Sequence, residues 1–339
     1  MFQGLLQLSG TIDLAQFWPT GESDADTVKV LLSGPNAFQF TAHPGAPPKV
    51  THVFEGAKIK GKVSKLAIDP HNRVTIRLQG VDASELHYRP QAPTLNGVKP
   101  TPQQRADFNA ANGNFRQKYG ETSTVALGNF LTKAGKGPIK CVVRTSVELP
   151  NDVFDTFGRL VGDIFVTIGG KEQNVNHWLC QNGWAFPTFY TSMARKEIND
   201  LTALSDAARK AKVGIWKRAT SNLSGFDTTL VFRNHGAPVP ASDDGPVYLP
   251  KLFRRRSTFA GAEKAKIVLG TFKSYLTAVP DRCFETKEFL AQGAAAATSR
   301  HLDQFVTPTS KFTVGAADLV FQEMKSEVVD KNGIPVKTW

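Results

Sequence analysis

Alternation of apolar and polar residues over the first 170 positions predicts β-strands. The alternating runs lie at 27–32, 58–66, 74–81, 139–148 and 160–168. Turn-forming residues follow two of them, at Ser33-Gly34-Pro35-Asn36 and at Gly169-Gly170. The pattern therefore predicts several short strands joined by tight turns.

Helical periodicity is found mainly after these strands. Apolar residues spaced by three and four predict helices over 121–131 and 192–212, and a short helix near 175–179 that ends at Gly183. Residues 88–114 lack such a period and are rich in proline and glycine, so we expect a long surface loop there. This order predicts an α+β fold: a five-stranded β-barrel with capping helices.

A change of composition near residue 218 predicts a domain boundary. Residues 219–245 are rich in Ser, Thr, Asp, Gly and Pro, as is typical of a linker. We expect a first domain over 1–218, with insertions at about 33–57 and 88–114, and a C-terminal domain of uncertain α+β class over 246–339. For the latter we expect an Ala-rich helix at 285–305. The run Arg254-Arg255-Arg256 is expected to form a solvated face, with contact to a phosphate backbone as the alternative.

Composition indicates a folded protein of about two domains. The chain has 339 residues, of which 41% are hydrophobic and 21% charged. No run approaches the roughly 18 apolar residues of a membrane helix, and no basic residue precedes the apolar start. We therefore expect no membrane partner and a cytoplasmic location, with non-classical secretion as the alternative. Cys141, Cys180 and Cys283 are too few and too far apart to indicate a disulfide framework or a zinc site.

Net charge points toward polyanionic partners. The chain carries +11, and +8 of that excess lies within the first 218 residues. A field of this sign attracts nucleic acid, although it also keeps a protein of this size soluble.

Three polar groups sit where the predicted strands begin or end. They are Asp24-Ala25-Asp26-Thr27, Arg77 with Asp82-Ala83-Ser84-Glu85, and Asp155-Thr156-Phe157-Gly158-Arg159. Because side chains alternate along a strand, residues 77 and 82 would face opposite sides unless the chain bends near Gly80. With such a bend, Asp26 and Asp82 would offer the oxygen ligands that Ca²⁺ prefers.

These groups resemble the motifs of the thermonuclease, or staphylococcal nuclease-like, family over residues 5–217. The resemblance also includes Tyr119-Gly120-Glu121, Val175-Asn176 and Gly214-Ile215-Trp216. It implies an OB-type five-stranded barrel and calcium-dependent hydrolysis of DNA and RNA phosphodiesters.

The resemblance also assigns roles by position. It implies that Asp26, Asp82 and the carbonyl of Ala83 bind Ca²⁺ and that Glu85 orients or deprotonates the attacking water. Arg77 and Arg159 would clamp the phosphate, a task that suits the fixed fork of a guanidinium.

Three positions depart from the family pattern. Ala25 replaces a glycine, Ser84 replaces a proline, and Phe157 replaces a tyrosine, which keeps an aromatic face but loses a hydroxyl. Phe189 and Tyr190 lie where base-stacking aromatics would be expected, with simple packing as the alternative.

The resulting hypothesis is a calcium-dependent nuclease that acts on DNA, RNA or both with little sequence preference. The alternative is a non-catalytic nucleic-acid-binding or assembly protein on the same barrel. In either case the protein partner of the C-terminal domain is unidentified.

Overall fold

The computed structural model describes residues 4–60, 65–227, 231–232, 242–268, 270–324 and 326–339. Parts of the predicted run 58–66 and of the predicted linker 219–245 therefore lie outside the described residues. Within these ranges, no helix is both long and apolar enough to span a bilayer.

The described residues contain seventeen strands and seven α-helices. The strands are β1 (Gly4–Ile12), β2 (Thr27–Leu32), β3 (Phe38–Thr41), β4 (Lys49–Val50), β5 (Lys58–Lys60), β6 (Lys65–Leu66), β7 (Arg73–Leu78), β8 (Val81–Ala83), β9 (Ile139–Val147), β10 (Leu160–Ile168), β11 (Lys171–Asn174), β12 (Ala185–Pro187), β13 (Phe189–Tyr190), β14 (Arg282–Glu285), β15 (Arg300–His301), β16 (Leu319–Phe321) and β17 (Glu327–Val329). The helices are α1 (Pro102–Ala110), α2 (Gly120–Leu131), α3 (Val175–Gln181), α4 (Arg195–Lys210), α5 (Pro250–Lys264), α6 (Phe272–Ala278) and α7 (Thr286–Gln292).

The chain folds into two compact units. The barrel unit comprises Met1–Gln79, Val125–Leu179 and Met324–Trp339, and the helix-rich unit comprises Gly80–Thr124 and Cys180–Glu323. This division differs from the predicted boundary after residue 218, because each unit draws on several separate parts of the chain.

A closed five-stranded barrel forms the core of the barrel unit, which confirms the predicted α+β fold and barrel. The strands pair in the cyclic order β1-β2-β7-β10-β9, and only β7 and β10 are parallel. Inward residues alternate along each strand, as with Leu6 and Leu8 of β1, which are 1% exposed. Buried alternation therefore sets the register of the barrel.

The first barrel strand, β1, was not predicted from the sequence. Its glycines weaken the strand signal, yet Gly10 is needed, because a Cβ there would lie 2.4 Å from the Leu31 carbonyl oxygen of β2. The predicted run 58–66 instead forms β5 and β6 outside the barrel, where β5 pairs with β17.

One apolar cluster holds the helix-rich unit together. It joins Phe108, Phe186 and Ile215 to residues of the C-terminal third such as Leu252 and Tyr275. Within this unit, residues 246–323 therefore share a core with earlier segments.

Two predicted elements of this unit are wrong. Residues 88–114 contain α1, which the reciprocal hydrogen bonds of Thr101 and Gln104 cap and whose Phe108 is fully buried. The helix predicted over 285–305 ends at Gln292, because Gly293 follows with φ +78°.

A buried ion cluster holds α5 against the segment before β14. Asp281 accepts hydrogen bonds from Arg255 Nε at 2.6 Å and Nη2 at 2.8 Å, and Lys251 Nζ lies 3.3 Å away. Burial alone would raise the pKa of Asp281, but Lys251 and Arg255 together lower it below its usual range.

We expect Asp281→Asn to lower the free energy of unfolding by about 3 kcal/mol, because it leaves two largely buried cations without their counter-charge. Chemical denaturation would measure the change. Asp206→Asn is the matched control, because Asp206 pairs with Arg209 at 2.9 Å on the surface. It should lower the free energy of unfolding by less than about 1 kcal/mol.

The comparison of wild type with Asp281→Asn also provides a test by pH. Because the folded pKa of Asp281 is depressed, its contribution is complete above the ordinary value of about 4 and is lost as the pH falls through the folded pKa. The stability difference between wild type and Asp281→Asn should therefore narrow only below about pH 4. A difference that stays constant into strong acid would contradict this account.

Candidate functional site

Asp26 and Arg77 are bonded to each other in the barrel unit. Antiparallel pairing of β2 and β7 sets Thr27 opposite Arg77. Arg77 Nη1 donates to Asp26 Oδ1 at 2.8 Å and to the Asp26 carbonyl oxygen at 3.2 Å. Their side chains are only 11% and 10% exposed, so the predicted phosphate clamp neutralises the predicted metal ligand.

Arg159 joins this network through Thr27. Its Nη1 donates to Thr27 Oγ1 at 3.1 Å, and the same hydroxyl donates to Asp26 Oδ1 at 3.1 Å. Arg159 also binds Asp155 Oδ2 through Nε at 2.8 Å and Nη2 at 2.7 Å. Asp155 is therefore the counter-ion of Arg159.

Phe157 lies at the tip of the turn before β10. Gly158 has φ +79°, a conformation that favours glycine. Phe157 is 63% exposed, and the Arg159 Cζ atom lies 5.4 Å from its ring centroid. An aromatic face and a guanidinium are thus presented side by side.

The chain turns at Gly80, the residue where the site hypothesis required a bend. Strand β7 ends at Leu78 and β8 starts at Val81. Gly80 has φ +74°, and a Cβ there would lie 2.4 Å from Leu201 Cδ1 and 2.7 Å from Met193 Cε. Any larger residue would therefore be strained as well as crowded.

Asn176 braces the end of β7 within the barrel unit. Its fully buried amide nitrogen donates to the Gln79 carbonyl at 2.9 Å and to Asp163 Oδ1 at 2.6 Å, while its Oδ1 accepts from Ile164 N at 3.2 Å. This side chain satisfies the Gln79 carbonyl, just after β7, and the Ile164 N–H of β10, so it links the two neighbouring strands close to Arg77.

Asp82 and Glu85 belong to the helix-rich unit. Asp82 lies on β8 opposite Phe186, and Ala83 lies opposite Ala185. Asp82 is 0% exposed.

The backbone of Glu85 is fixed by the residues that begin α2. Its carbonyl oxygen accepts from Gln117 N at 2.7 Å. A Cβ on Gly120 would lie 2.5 Å from that oxygen, so the Tyr119-Gly120-Glu121 segment needs glycine for this close approach.

Both carboxylates bind Arg254 of α5. Arg254 Nη1 lies 3.2 Å from Asp82 Oδ1, and Nη2 lies 2.8 Å from Asp82 Oδ2. Nη1 also donates to Glu85 Oε1. Burial alone would lower the pKa of Arg254, but Asp82 and Glu85 raise it well above its usual value.

The pairing of Arg254 with the two acids was not predicted from the sequence, and the solvated face expected for 254–256 is wrong. Arg255 binds Asp281, and the Arg256 Cζ atom lies 4.9 Å from the Phe259 ring centroid. The basic run itself was the available signal. Pairing it with Asp82 required knowledge of a contact between residues 172 positions apart.

The two aromatic residues proposed for base stacking differ in exposure. Phe189 is 0% exposed and pairs with Val320 of β16. Its ring is packed inside the helix-rich unit and is not accessible to a base. Tyr190 is half-buried, and its ring centroid lies 6.4 Å from that of Phe321.

The comparisons with known proteins identify a family for part of the chain. Residues 75–218 match the family model described as staphylococcal nuclease homologue. This region is thus a staphylococcal nuclease-like domain, and the barrel is of the OB type. The match begins at residue 75, so it leaves out Asp26 and the barrel strand β2 that follows Asp26. No curated protein matches the chain.

We expect Asn176→Ala to lower the free energy of unfolding by about 1–3 kcal/mol, because buried carbonyl and amide groups lose their partners. Denaturant titration would measure this loss. Asn129→Ala on the exposed face of α2 is the matched control and should change stability by less than about 0.5 kcal/mol. Equal effects of the two variants would contradict the bracing role.

Proposed function

We propose that this protein is a calcium-dependent nuclease that hydrolyses phosphodiester bonds of DNA, RNA or both with little sequence preference. The observation that carries the proposal is the family match over 75–218, which contains Arg77, Asp82, Glu85 and Arg159 in the family order. Asp26 supplies the remaining acid from outside the matched region.

The residues present suit a hard divalent cation. Asp26, Asp82 and the Ala83 carbonyl offer only oxygen donors, the type that Ca²⁺ prefers. When bound, the cation would supply positive charge that offsets the negative charge developing on the attacked phosphate.

The other side chains would act on the substrate itself. Arg77 and Arg159 now bond to carboxylates, and a phosphodiester offers the same paired anionic oxygens to a guanidinium fork. Glu85 would orient the water and take its proton as attack proceeds. Exposed Phe157 beside Arg159 offers a face for a base, and Tyr190 a second aromatic contact.

Charge supports a polyanionic substrate. The excess of +8 over the first 218 residues would draw nucleic acid toward the domain by long-range attraction. The cytoplasmic location expected from the sequence stays a prediction.

A non-catalytic nucleic-acid-binding protein is the second candidate. It is favoured by the bonding of Asp82 and Glu85 to Arg254, since a guanidinium on these acids neutralises the charge that a metal would need and takes lone pairs that a metal or water would use. The two candidates differ in whether the covalent bond of the substrate is cut.

The test incubates the full chain with plasmid, single-stranded DNA and RNA in Ca²⁺ or in chelator. A nuclease shortens the substrate only with Ca²⁺. Retarded but intact nucleic acid under both conditions would reject hydrolysis and support the binding protein.

Arg159→Ala is expected to reduce the cleavage rate by about 100- to 1000-fold, because one preorganised donor to the developing charge is lost. Arg144 provides a matched control, since its Nη1 and Nη2 bond to Glu172 at 2.7 and 2.8 Å elsewhere on the barrel unit. Arg144→Ala should leave the rate within about twofold. Equal rates for both variants would remove Arg159 from the proposed site.

A further inference from the structure

Arg254 lies outside the region that matches the family model, yet it contacts two acids inside that region. It lies on α5, and its two terminal nitrogens, Nη1 and Nη2, donate to Asp82 Oδ1 at 3.2 Å and to Asp82 Oδ2 at 2.8 Å. Glu85 accepts a further hydrogen bond from Nη1. One guanidinium thus covers both oxygens of one carboxylate and one oxygen of the next.

We propose that Arg254 is a built-in cation that competes with the divalent metal for Asp82, and with the attacking water for Glu85, and so sets how tightly the metal binds. The inference deepens the proposed function, because it concerns the same carboxylates. The guanidinium already donates one hydrogen bond to each Asp82 oxygen and brings a positive charge beside them, so it opposes the binding of a second cation there.

The helix that carries Arg254 is anchored on both sides of it. Phe253 is 2% exposed in the apolar cluster of the helix-rich unit, and Arg255 is bonded to Asp281. The Thr258 hydroxyl donates to the Arg254 carbonyl at 2.9 Å and lies 3.2 Å from the Tyr88 hydroxyl oxygen. These contacts fix the backbone from which the Arg254 side chain extends.

Arg254 is the more exposed partner of this contact. Asp82 is fully buried, whereas 28% of the Arg254 side chain is exposed. A rotamer change of Arg254 alone would move its charge toward solvent and free the carboxylate oxygens, without movement of α5. The free energy of metal binding must then offset the cost of breaking the Arg254–Asp82 ion pair and the cost of dehydrating the metal ion.

Isothermal titration of the full chain with CaCl₂, without nucleic acid, tests the competition. Arg254→Met keeps much of the side-chain volume but removes the charge. We expect it to tighten Ca²⁺ binding by about 5- to 150-fold, the usual range of coupling between linked ligands. Arg254→Lys keeps the charge but loses the fork, so its affinity should lie between those of Arg254→Met and wild type.

Two controls make the result specific. Lys264→Met removes an equal charge from an exposed position of α5 and should leave Ca²⁺ affinity unchanged. Adding Asp82→Asn to Arg254→Met should abolish the gain. Circular dichroism establishes that each variant is folded, and Arg254→Lys serves as the probe if the methionine variant is not.

Folded Arg254→Met or Arg254→Lys that binds Ca²⁺ no more tightly than wild type would overturn the inference. Failure of the proposed function is a different result: tighter binding in Arg254→Met with no cleavage by any variant. If wild type cleaves but the Arg254 variants bind Ca²⁺ with unchanged affinity, the proposed competition is wrong and the proposed nuclease activity is retained.

Discussion

The buried carboxylate of Asp82 constrains much of the helix-rich unit. An isolated charge at a fully buried position is too costly to remain unpaired, so a cation must be brought to it. The cation is Arg254, from a helix that starts 168 residues further along the chain. Its placement depends on the apolar packing of α5 and on the Arg255–Asp281 pair, so core packing and site electrostatics are coupled within one unit.

The acids of the barrel unit follow the same rule. Asp26 and Asp155 are held by Arg77 and Arg159, and the Thr27 hydroxyl links the two pairs. Such a network keeps the guanidinium groups oriented, and under the proposed function its carboxylates stand in for a phosphate. A site of this kind has its positive groups in place before a substrate arrives, which favours electrostatic catalysis and equally favours tight binding without catalysis.

Glycine and amide groups give the surrounding backbone its shape. Gly80 turns the chain out of β7, Gly120 lets the start of α2 approach Glu85, and Asn176 satisfies the end of β7. None of these three is charged or reactive. They act by allowing backbone to approach backbone, so changes in them should alter the positions of functional groups while leaving the chemistry of those groups intact.

The sequence by itself determined the α+β class, the barrel and the order of the polar motifs. These follow from local periods, turn residues and motif spacing. It failed for β1, whose glycines hide the strand, and for α1, whose capping residues outweigh a proline-rich context. Only tertiary structure showed that Phe189 is buried and that Arg254 binds Asp82. Both depend on packing between segments that are far apart in the sequence. Local periods and motifs do not reveal which of these segments come into contact.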